Sequence, residues 1–232
     1  MKIINIVLLN MMISISILNA ADAIKPSKAT LELDIGAKME VQMLKLPDGT
    51  WKLTSFVDYG SIFKRMESEV FELKDNQIKP ISYEFNQRQF FRKEKNYANF
   101  NWDNGEVRYS LGKKEQSIAL LGNVLAPSSA SLQLRLDFRK YGEENIPDKV
   151  SYLVYWKGSI KNRTYNVKKI KETVETDLGS FEAYRVSRKF EKGNDRKQIF
   201  WLAPDLDYSV IKIVDKNDRE SVIKIKSFEE IY

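Results

Sequence analysis

Beyond residue 23, most of the chain alternates between hydrophobic and polar positions, with turn residues at short intervals. Residues 31–35 (LELDI) and 38–44 (KMEVQML) each place an apolar side chain at every second position. Successive side chains of a strand point to opposite faces, so a period of two predicts half-buried β-strands. Strands of this kind account for most of the chain.

Turn signals separate these runs. Residues 46–50 (LPDGT) combine a Pro with a Gly, and residues 74–77 (KDNQ) divide two further runs. Asn104–Gly105 predicts a type I′ turn, in which both central residues have positive φ. Short strands joined by tight turns predict a mainly β fold, an antiparallel meander that forms a barrel or half-barrel.

One segment fits two periods. Residues 132–138 alternate as a strand would, but the apolar positions also pair at i and i+4, as in a helix. Pro127 followed by two serines suits a helix start, and Gly142 suits a helix end. We expect a short helix near 128–141, with a strand as the alternative, inside a single β-rich domain that spans 24–232.

The first 23 residues have the three-part pattern of a secretory signal peptide. Lys2 precedes an apolar run at 3–18, and Ala21-Asp22-Ala23 supplies a cleavage site of small residues. The apolar run of 16 residues is shorter than the ~20 of a membrane-spanning helix, which argues against the alternative of a retained anchor. We expect a periplasmic or secreted bacterial protein with no transmembrane anchor after cleavage.

The composition excludes several kinds of catalytic and metal-binding site. The 232 residues are 43% hydrophobic and 12% aromatic, which is typical of a folded core, and they include no Cys and no His. This excludes disulfides, thiol catalysis and catalytic triads built on His, and it removes the usual zinc ligands. We expect no metal and no cofactor.

Charge and aromatic content argue against a nucleic-acid partner. The net charge is +6, but basic and acidic residues are interleaved along the chain, so no basic block stands out. Aromatic residues are frequent between 82 and 109, and we expect them to pack the core of a sheet. The same residues would suit a cavity for a lipid. They are Tyr83, Phe85, Phe90, Phe91, Tyr97, Phe100, Trp102 and Tyr109.

The segment 200–208 (FWLAPDLDY) contains most of the candidate site residues. Pro204 interrupts the strand, and the two aspartates that follow suit a turn, so we expect a hairpin corner. A corner that contacts a ligand and a catalytic pair of carboxylates are the alternatives. The candidate ligand-binding residues are Trp201, Asp205 and Tyr208, with Trp102 as a further lining residue.

Five motifs together resemble a bacterial exported family, domain of unknown function 3108. They are residues 48–60 (DGTWKLTSFVDYG), 78–85 (IKPISYEF), 98–107 (ANFNWDNGEV), 176–186 (TDLGSFEAYRV) and 200–213 (FWLAPDLDYSVIKI). The family usually follows the Tyr of the last motif with Leu-Pro-Val, where this chain has Ser209, Val210 and Ile211. The resemblance implies a β-rich envelope protein without an assigned reaction. The last hairpin is also similar to the closing strands of periplasmic lipoprotein carriers, which are half-barrels over a helical lid.

These observations favour an exported cell-envelope protein without catalytic activity. Its partner would be a lipid, another apolar ligand, a glycan or an envelope protein. Two alternatives stay open. One is a hydrolase that uses two carboxylates on cell-wall or polysaccharide material, at the ~5–10 Å separation such enzymes need. The other is a periplasmic chaperone similar to lipoprotein carriers.

Overall fold

The fold is a single curled β-sheet with one long helix in the part of the chain that the structure describes. A computed structural model describes residues 24–112, 114–190, 196–216 and 220–231, so the predicted signal peptide lies outside the described residues. The helix is α1 (Pro127–Tyr141), and single-turn 3₁₀ helices lie at Glu143–Asn145 and Pro204–Leu206. The strands are β1 (Ser27–Leu33), β2 (Lys38–Lys45), β3 (Trp51–Tyr59), β4 (Phe63–Lys74), β5 (Gln77–Gln89), β6 (Arg92–Asn101), β7 (Glu106–Leu111), β8 (Lys114–Ala119), β9 (Val124–Leu125), β10 (Lys149–Trp156), β11 (Ser159–Thr176), β12 (Gly179–Lys189), β13 (Lys197–Ala203), β14 (Ser209–Lys216) and β15 (Glu220–Glu230).

The sheet confirms the predicted meander. Strands β1 to β8 pair in sequence order, and so do β10 to β15. The two runs join where β1 pairs with β15 in antiparallel register, and the short β9 pairs parallel to β10 at the far edge. The sheet therefore has two halves, one built before α1 and one after it.

Aromatic side chains bring the two ends of this sheet together. Tyr155 of β10 lies with its ring centroid 6.3 Å from that of Tyr83, 5.7 Å from that of Phe100 and 6.2 Å from that of Tyr109. These partners come from β5, β6 and β7, so the second half packs over the inner face of the first. The sheet curls into a barrel-like shape that side-chain packing closes.

Helix α1 occupies the space between the two halves, at the place where a helix was expected. Pro127 begins it, and Gly142, with φ 64°, follows its last residue. Its buried residues lie on almost every side: Ser129, Ala130, Leu132, Gln133, Leu134, Leu136 and Phe138. One cluster joins Leu132 and Leu136 to β2–β5, and another joins Leu134 and Phe138 to β10–β13.

Polar side chains tie the helix to both halves. The Gln133 side chain accepts a hydrogen bond from the Ile78 N–H (3.0 Å) and donates to the Asn76 carbonyl (2.9 Å). On the other side, the Tyr152 hydroxyl of β10 donates to Asp137 Oδ2 (2.5 Å). Each bond satisfies a buried or half-buried polar group, which is expensive to leave unpaired.

A third tie joins the helix to the corner between β13 and β14. Arg135 donates from Nε to the Asp207 carbonyl (2.7 Å) and from Nη2 to Asp207 Oδ2 (2.6 Å). Asp207 adopts φ 52°, which Asp tolerates better than most residues, and it ends the Pro204–Leu206 turn. The hairpin corner predicted for residues 200–208 is present, and it anchors the helix.

One turn prediction was wrong. The hairpin at Asn104–Gly105 exists, but its loop has four residues, because Asn101 pairs with Glu106 and only Gly105 of the predicted pair has positive φ. The turn with positive φ at both central residues is Asp75–Asn76, between β4 and β5. The Asn76 carbonyl accepts a hydrogen bond from the Gln133 side chain, so this tighter turn also contacts helix α1.

Within the described residues, no helix is both long enough and apolar enough to cross a membrane. Helix α1, with 15 residues, has its apolar side chains committed to the sheet.

Replacing Arg135 tests the tie between the helix and the corner. We expect Arg135→Met to lower the free energy of unfolding by about 1–3 kcal/mol, because Asp207 loses two hydrogen bonds in a half-buried setting. Urea denaturation followed by tryptophan fluorescence measures the change.

The matched control is Arg108→Met. Arg108 also pairs with a carboxylate, but its side chain is 69% exposed, against 14% for Arg135. An exposed pair contributes about 0–1 kcal/mol. Equal losses in the two variants would contradict the proposed anchoring role.

Candidate functional site

The four sequence-predicted site residues do not form one site, because Trp201, Tyr208 and Trp102 belong to three different hydrophobic clusters. Trp201 lies in β13, is buried, and donates from Nε1 to Glu172 Oε2 (2.9 Å). Lys212 lies over its ring at 4.7 Å. Burial favours a raised pKa for Glu172, but hydrogen bonds from Lys168 and Trp201 outweigh it, and the pKa is lowered. Trp201 therefore packs in a hydrophobic cluster and also contacts two charged residues, Glu172 and Lys212.

Asp205 and Tyr208 lie at the corner after β13. Asp205 is exposed in the 3₁₀ turn. The Tyr208 ring packs against those of Phe138 and Tyr184, with centroids 6.0 and 6.4 Å away, and burial raises the pKa of its hydroxyl. Tyr208 packs with helix α1, whereas Trp201 belongs to the cluster formed by β1 and β11–β15. The strand residue Trp201 and the corner residue Tyr208 thus contribute to different clusters.

Trp102 lies in the loop between β6 and β7. Its Nε1 donates to the Pro80 carbonyl (2.7 Å), and Lys79 lies 5.5 Å from the centre of its ring. It packs against the aromatic cluster around Tyr155, which is separate from the clusters of Trp201 and Tyr208. A ligand-binding role for these four residues stays a prediction.

A buried pair of carboxyl groups faces the N-terminus of α1. Glu69 of β4 is fully buried, and its Oε2 accepts a hydrogen bond from the Ser129 N–H (2.9 Å). Glu67, two residues earlier on the same face, accepts from the Ser128 hydroxyl (3.2 Å) and pairs with Arg65. The residue before the helix is Ala126, whose side chain cannot cap, so Glu69 supplies the acceptor that a helix N-terminus needs.

Burial keeps Glu69 neutral near neutral pH. Removal from water raises its pKa to about 8, against the lowering effect of the two hydrogen bonds with Ser129. Its Oε1 has no hydrogen-bond partner among the described residues, and neither has the hydroxyl of Tyr83, its cross-strand neighbour in β5. Glu69 is therefore enclosed between β4 and α1, and its bond to Ser129 holds the strand against the helix.

The most exposed aromatic residues lie at the other end of these strands. The loops β3–β4 and β5–β6 lie side by side, because the Phe90 N–H donates to the Ile62 carbonyl (2.9 Å). Phe91 is 101% exposed and Phe90 60% exposed, and Ile62 is also exposed. We call residues 58–65 and 86–95 the tip surface.

Phe90 has an unusual backbone conformation. Its φ of 52° lies in the left-handed region, where a bulky residue is rare and costs about 1–2 kcal/mol relative to an ordinary conformation. Gly or Asn would fill this turn without that cost. The turn therefore places an exposed aromatic ring at a position where a Gly would give a more stable folded protein.

Cations line up behind the tip. Lys64 of β4 is directly opposite Arg88 of β5, which is directly opposite Lys93 of β6. Lys64 also pairs with Asp58 (2.5 Å), whereas Lys93 and neighbouring Arg92 make no ion pair within the described ranges. Like charges directly opposite each other destabilise a sheet. The tip surface holds six cations and two carboxylates, so it carries a net +4 of the chain's +6.

A shallow concavity of about 310 Å³ adjoins this row of cations. Apolar side chains of Phe56 and Met66 line it together with Lys64, Arg88, Lys93 and Lys95. Tyr97, exposed on β6, lies two residues beyond Lys95, which lines this concavity. The surface therefore combines positive charge with accessible apolar area.

The sequence analysis did not identify this surface. It expected the aromatics of 82–109 in the core. This is wrong for Phe90, Phe91 and Tyr97, which are exposed, and correct for the buried residues Tyr83, Phe85, Phe100 and Tyr109. The signal was present in residues 89–93 (QFFRK), where two aromatics at a turn position adjoin cations. The cation row itself depends on the register between strands and could not be read from the linear order.

Comparison with known proteins places the chain in a family. A family model described as "Protein of unknown function (DUF3108)" matches residues 24–219. The chain belongs to this family. The DUF3108 match extends from the residues before β1 through β14 and includes the tip surface, and it confirms the predicted resemblance. A search of curated proteins finds no sequence match.

The DUF3108 chain also has a structural neighbour. It is the crystal structure of a beta-barrel-like protein of the domain of unknown function DUF1849 from Brucella abortus, with a TM-score of 0.59. The match covers 90% of this chain and 99% of that chain, at 12% sequence identity. This similarity shows the fold alone, and it agrees with the curled sheet. Among the described residues, no group of three or more acidic residues is placed to hold a metal ion.

The pH dependence of stability tests the state of Glu69. Its folded-state pKa of about 8 lies above the ordinary 4.5, so between these pH values the folded protein binds more protons than the unfolded chain. As the pH rises from about 4.5 to about 8, we expect the free energy of unfolding of wild type to fall by up to about 1.4 kcal/mol per pH unit relative to Glu69→Gln, which cannot ionise at this position.

Urea denaturation of both proteins at pH 5, 6, 7 and 8 measures this difference, with Glu84→Gln on an exposed position of β5 as the control. The chain contains no His, so the window is free of the side chain that ordinarily titrates there. A constant difference between wild type and Glu69→Gln would contradict the assignment.

Proposed function

We propose that this chain is an exported cell-envelope protein without catalytic activity, and that it binds an acidic envelope component through the tip surface. The observation that supports it best is the fully exposed Phe91 beside the strained Phe90, next to a row of cations. Exposed aromatic side chains and unpaired cations together are typical of binding surfaces. Export rests on the signal-peptide pattern of residues 1–23.

The interior supports a surface role. Helix α1 is buried on nearly all sides, and aromatic rings fill the space where the ends of the sheet meet. A carrier that encloses a lipid needs an open cavity at this place. The filled interior argues against the carrier alternative and against an apolar ligand held inside the curl.

The carboxylate alternative has a candidate pair in Glu67 and Glu69. Both side chains face the helix N-terminus, and each has a structural partner there, Ser128 for one and Ser129 for the other. A substrate could reach Glu69 only by displacing α1 from the sheet. The pair therefore supports a structural role better than hydrolysis.

Association with envelope material tests the proposal. We expect the purified protein to sediment with washed bacterial envelope fragments, and Phe90→Ser/Phe91→Ser to weaken this association at least about tenfold, because each Phe buries apolar area worth ~1.5–3 kcal/mol when fully covered. Pelleting at a range of fragment concentrations gives the apparent affinity.

Ile170→Ser is the matched control. Ile170 in β11 is also a largely exposed apolar residue, but it lies outside the tip surface. We expect its association to match wild type. The proposal fails if wild type does not sediment, or if the double Phe variant sediments as well as the control.

A further inference from the structure

We propose that the tip surface docks onto the headgroup layer of a membrane that contains anionic phospholipids. This inference rests on the proposed function and names its partner. Peripheral membrane binding needs apolar side chains that enter the interface and cations that meet the lipid phosphates. On the tip surface, Phe90 and Phe91 lie outermost and the cations lie behind them.

The cation row supplies the contacts with phosphate. Lys64, Arg88 and Lys93 occupy directly opposed positions on one face of three neighbouring strands. Arg92 adds a fourth cation at the start of β6. Lys64 is paired with Asp58 on β3, whereas Arg88 and Lys93 are directly opposed cations. A phosphate between Arg88 and Lys93 would relieve their repulsion, so lipid binding would stabilise the surface at this point.

The aromatic turn supplies the insertion. Gln89 pairs with Arg92, so Phe90 and Phe91 alone form the end of this hairpin. Arg88 lies two residues before Phe90, and a strand rises ~3.3 Å per residue, which places the cation row roughly 7 Å behind the aromatic tip. Amphipathic surfaces enter the interface by about 5–10 Å, so cations at this depth meet the headgroups.

The shape of the surface favours a membrane over a folded acidic protein. The outermost residues form a two-residue turn whose Phe91 is fully exposed, and the turn is braced by the Phe90–Ile62 hydrogen bond. A convex apolar point fits a deformable surface more readily than a rigid one. The concavity beside Arg88 and Lys93 adds room for a headgroup at the base of the point.

Flotation with defined vesicles tests the inference. We expect wild type to float with phosphatidylcholine vesicles that contain one-third phosphatidylglycerol, and at least about fivefold less with pure phosphatidylcholine. Binding to the anionic vesicles should fall steeply between about 0.15 and about 1 M salt, because salt screens exposed charges.

Two variants separate charge from insertion. Arg88→Glu/Lys93→Glu should lose most of the binding to anionic vesicles. Lys52→Glu/Lys74→Glu, on the neighbouring strands β3 and β4 at the end away from the tip, should retain it because these exposed lysines lie outside the surface. Phe91→Trp should show more fluorescence quenching by brominated lipid than wild type, whose four Trp residues lie outside the tip surface. Thermal melting without lipid checks that each variant is folded.

The outcomes distinguish this inference from the proposed function. Envelope fragments that bind wild type but not Phe90→Ser/Phe91→Ser, together with no flotation on anionic vesicles, would overturn the lipid assignment and leave the envelope role standing. Absence of binding to both would overturn both. Equal flotation on neutral and anionic vesicles, an unquenched Trp at position 91, or binding to a single-stranded oligonucleotide in place of vesicles would each contradict anionic lipid as the partner.

Discussion

The burial of helix α1 between two halves of one sheet is the constraint on which the structure depends. A helix buried on most sides must find partners for its polar groups inside the protein. Glu69 meets the N-terminus, Gln133 meets the β4–β5 turn, and Arg135 meets the β13–β14 corner. The helix thus fixes how far the sheet curls, because these contacts reach strands that do not pair with each other.

This arrangement commits the interior of the curl to packing. Rings from β5, β6, β7 and β10 close the far side of the curl, and apolar residues of α1 fill the middle. Side chains packed in this way stabilise the folded protein. The tip surface lies at one end of β3–β6, where Phe90 and Phe91 are exposed and the net charge is +4.

Local features of the structure were predictable and non-local ones were not. Alternation predicted the strands, and Pro127 with Gly142 predicted the helix limits, since each depends on nearby residues. The Glu69–Ser129 bond joins positions 60 apart, and the cation row joins three strands. Charges that are interleaved along the chain form a row of three cations when the register places Lys64, Arg88 and Lys93 opposite one another, and the linear order does not give that register.

The tip surface is a place where several small destabilising features coincide. A Phe with positive φ, apolar side chains in water and opposed cations each lower stability by an amount on the order of 1 kcal/mol. Stability of a domain is a small difference between large terms, so such features persist only where other contacts compensate. The buried helix and the aromatic closure provide that compensation far from the loops. A fold whose stability comes from its interior can keep an unfavourable surface at one end, and a surface that is unfavourable alone gains most from being covered by a partner.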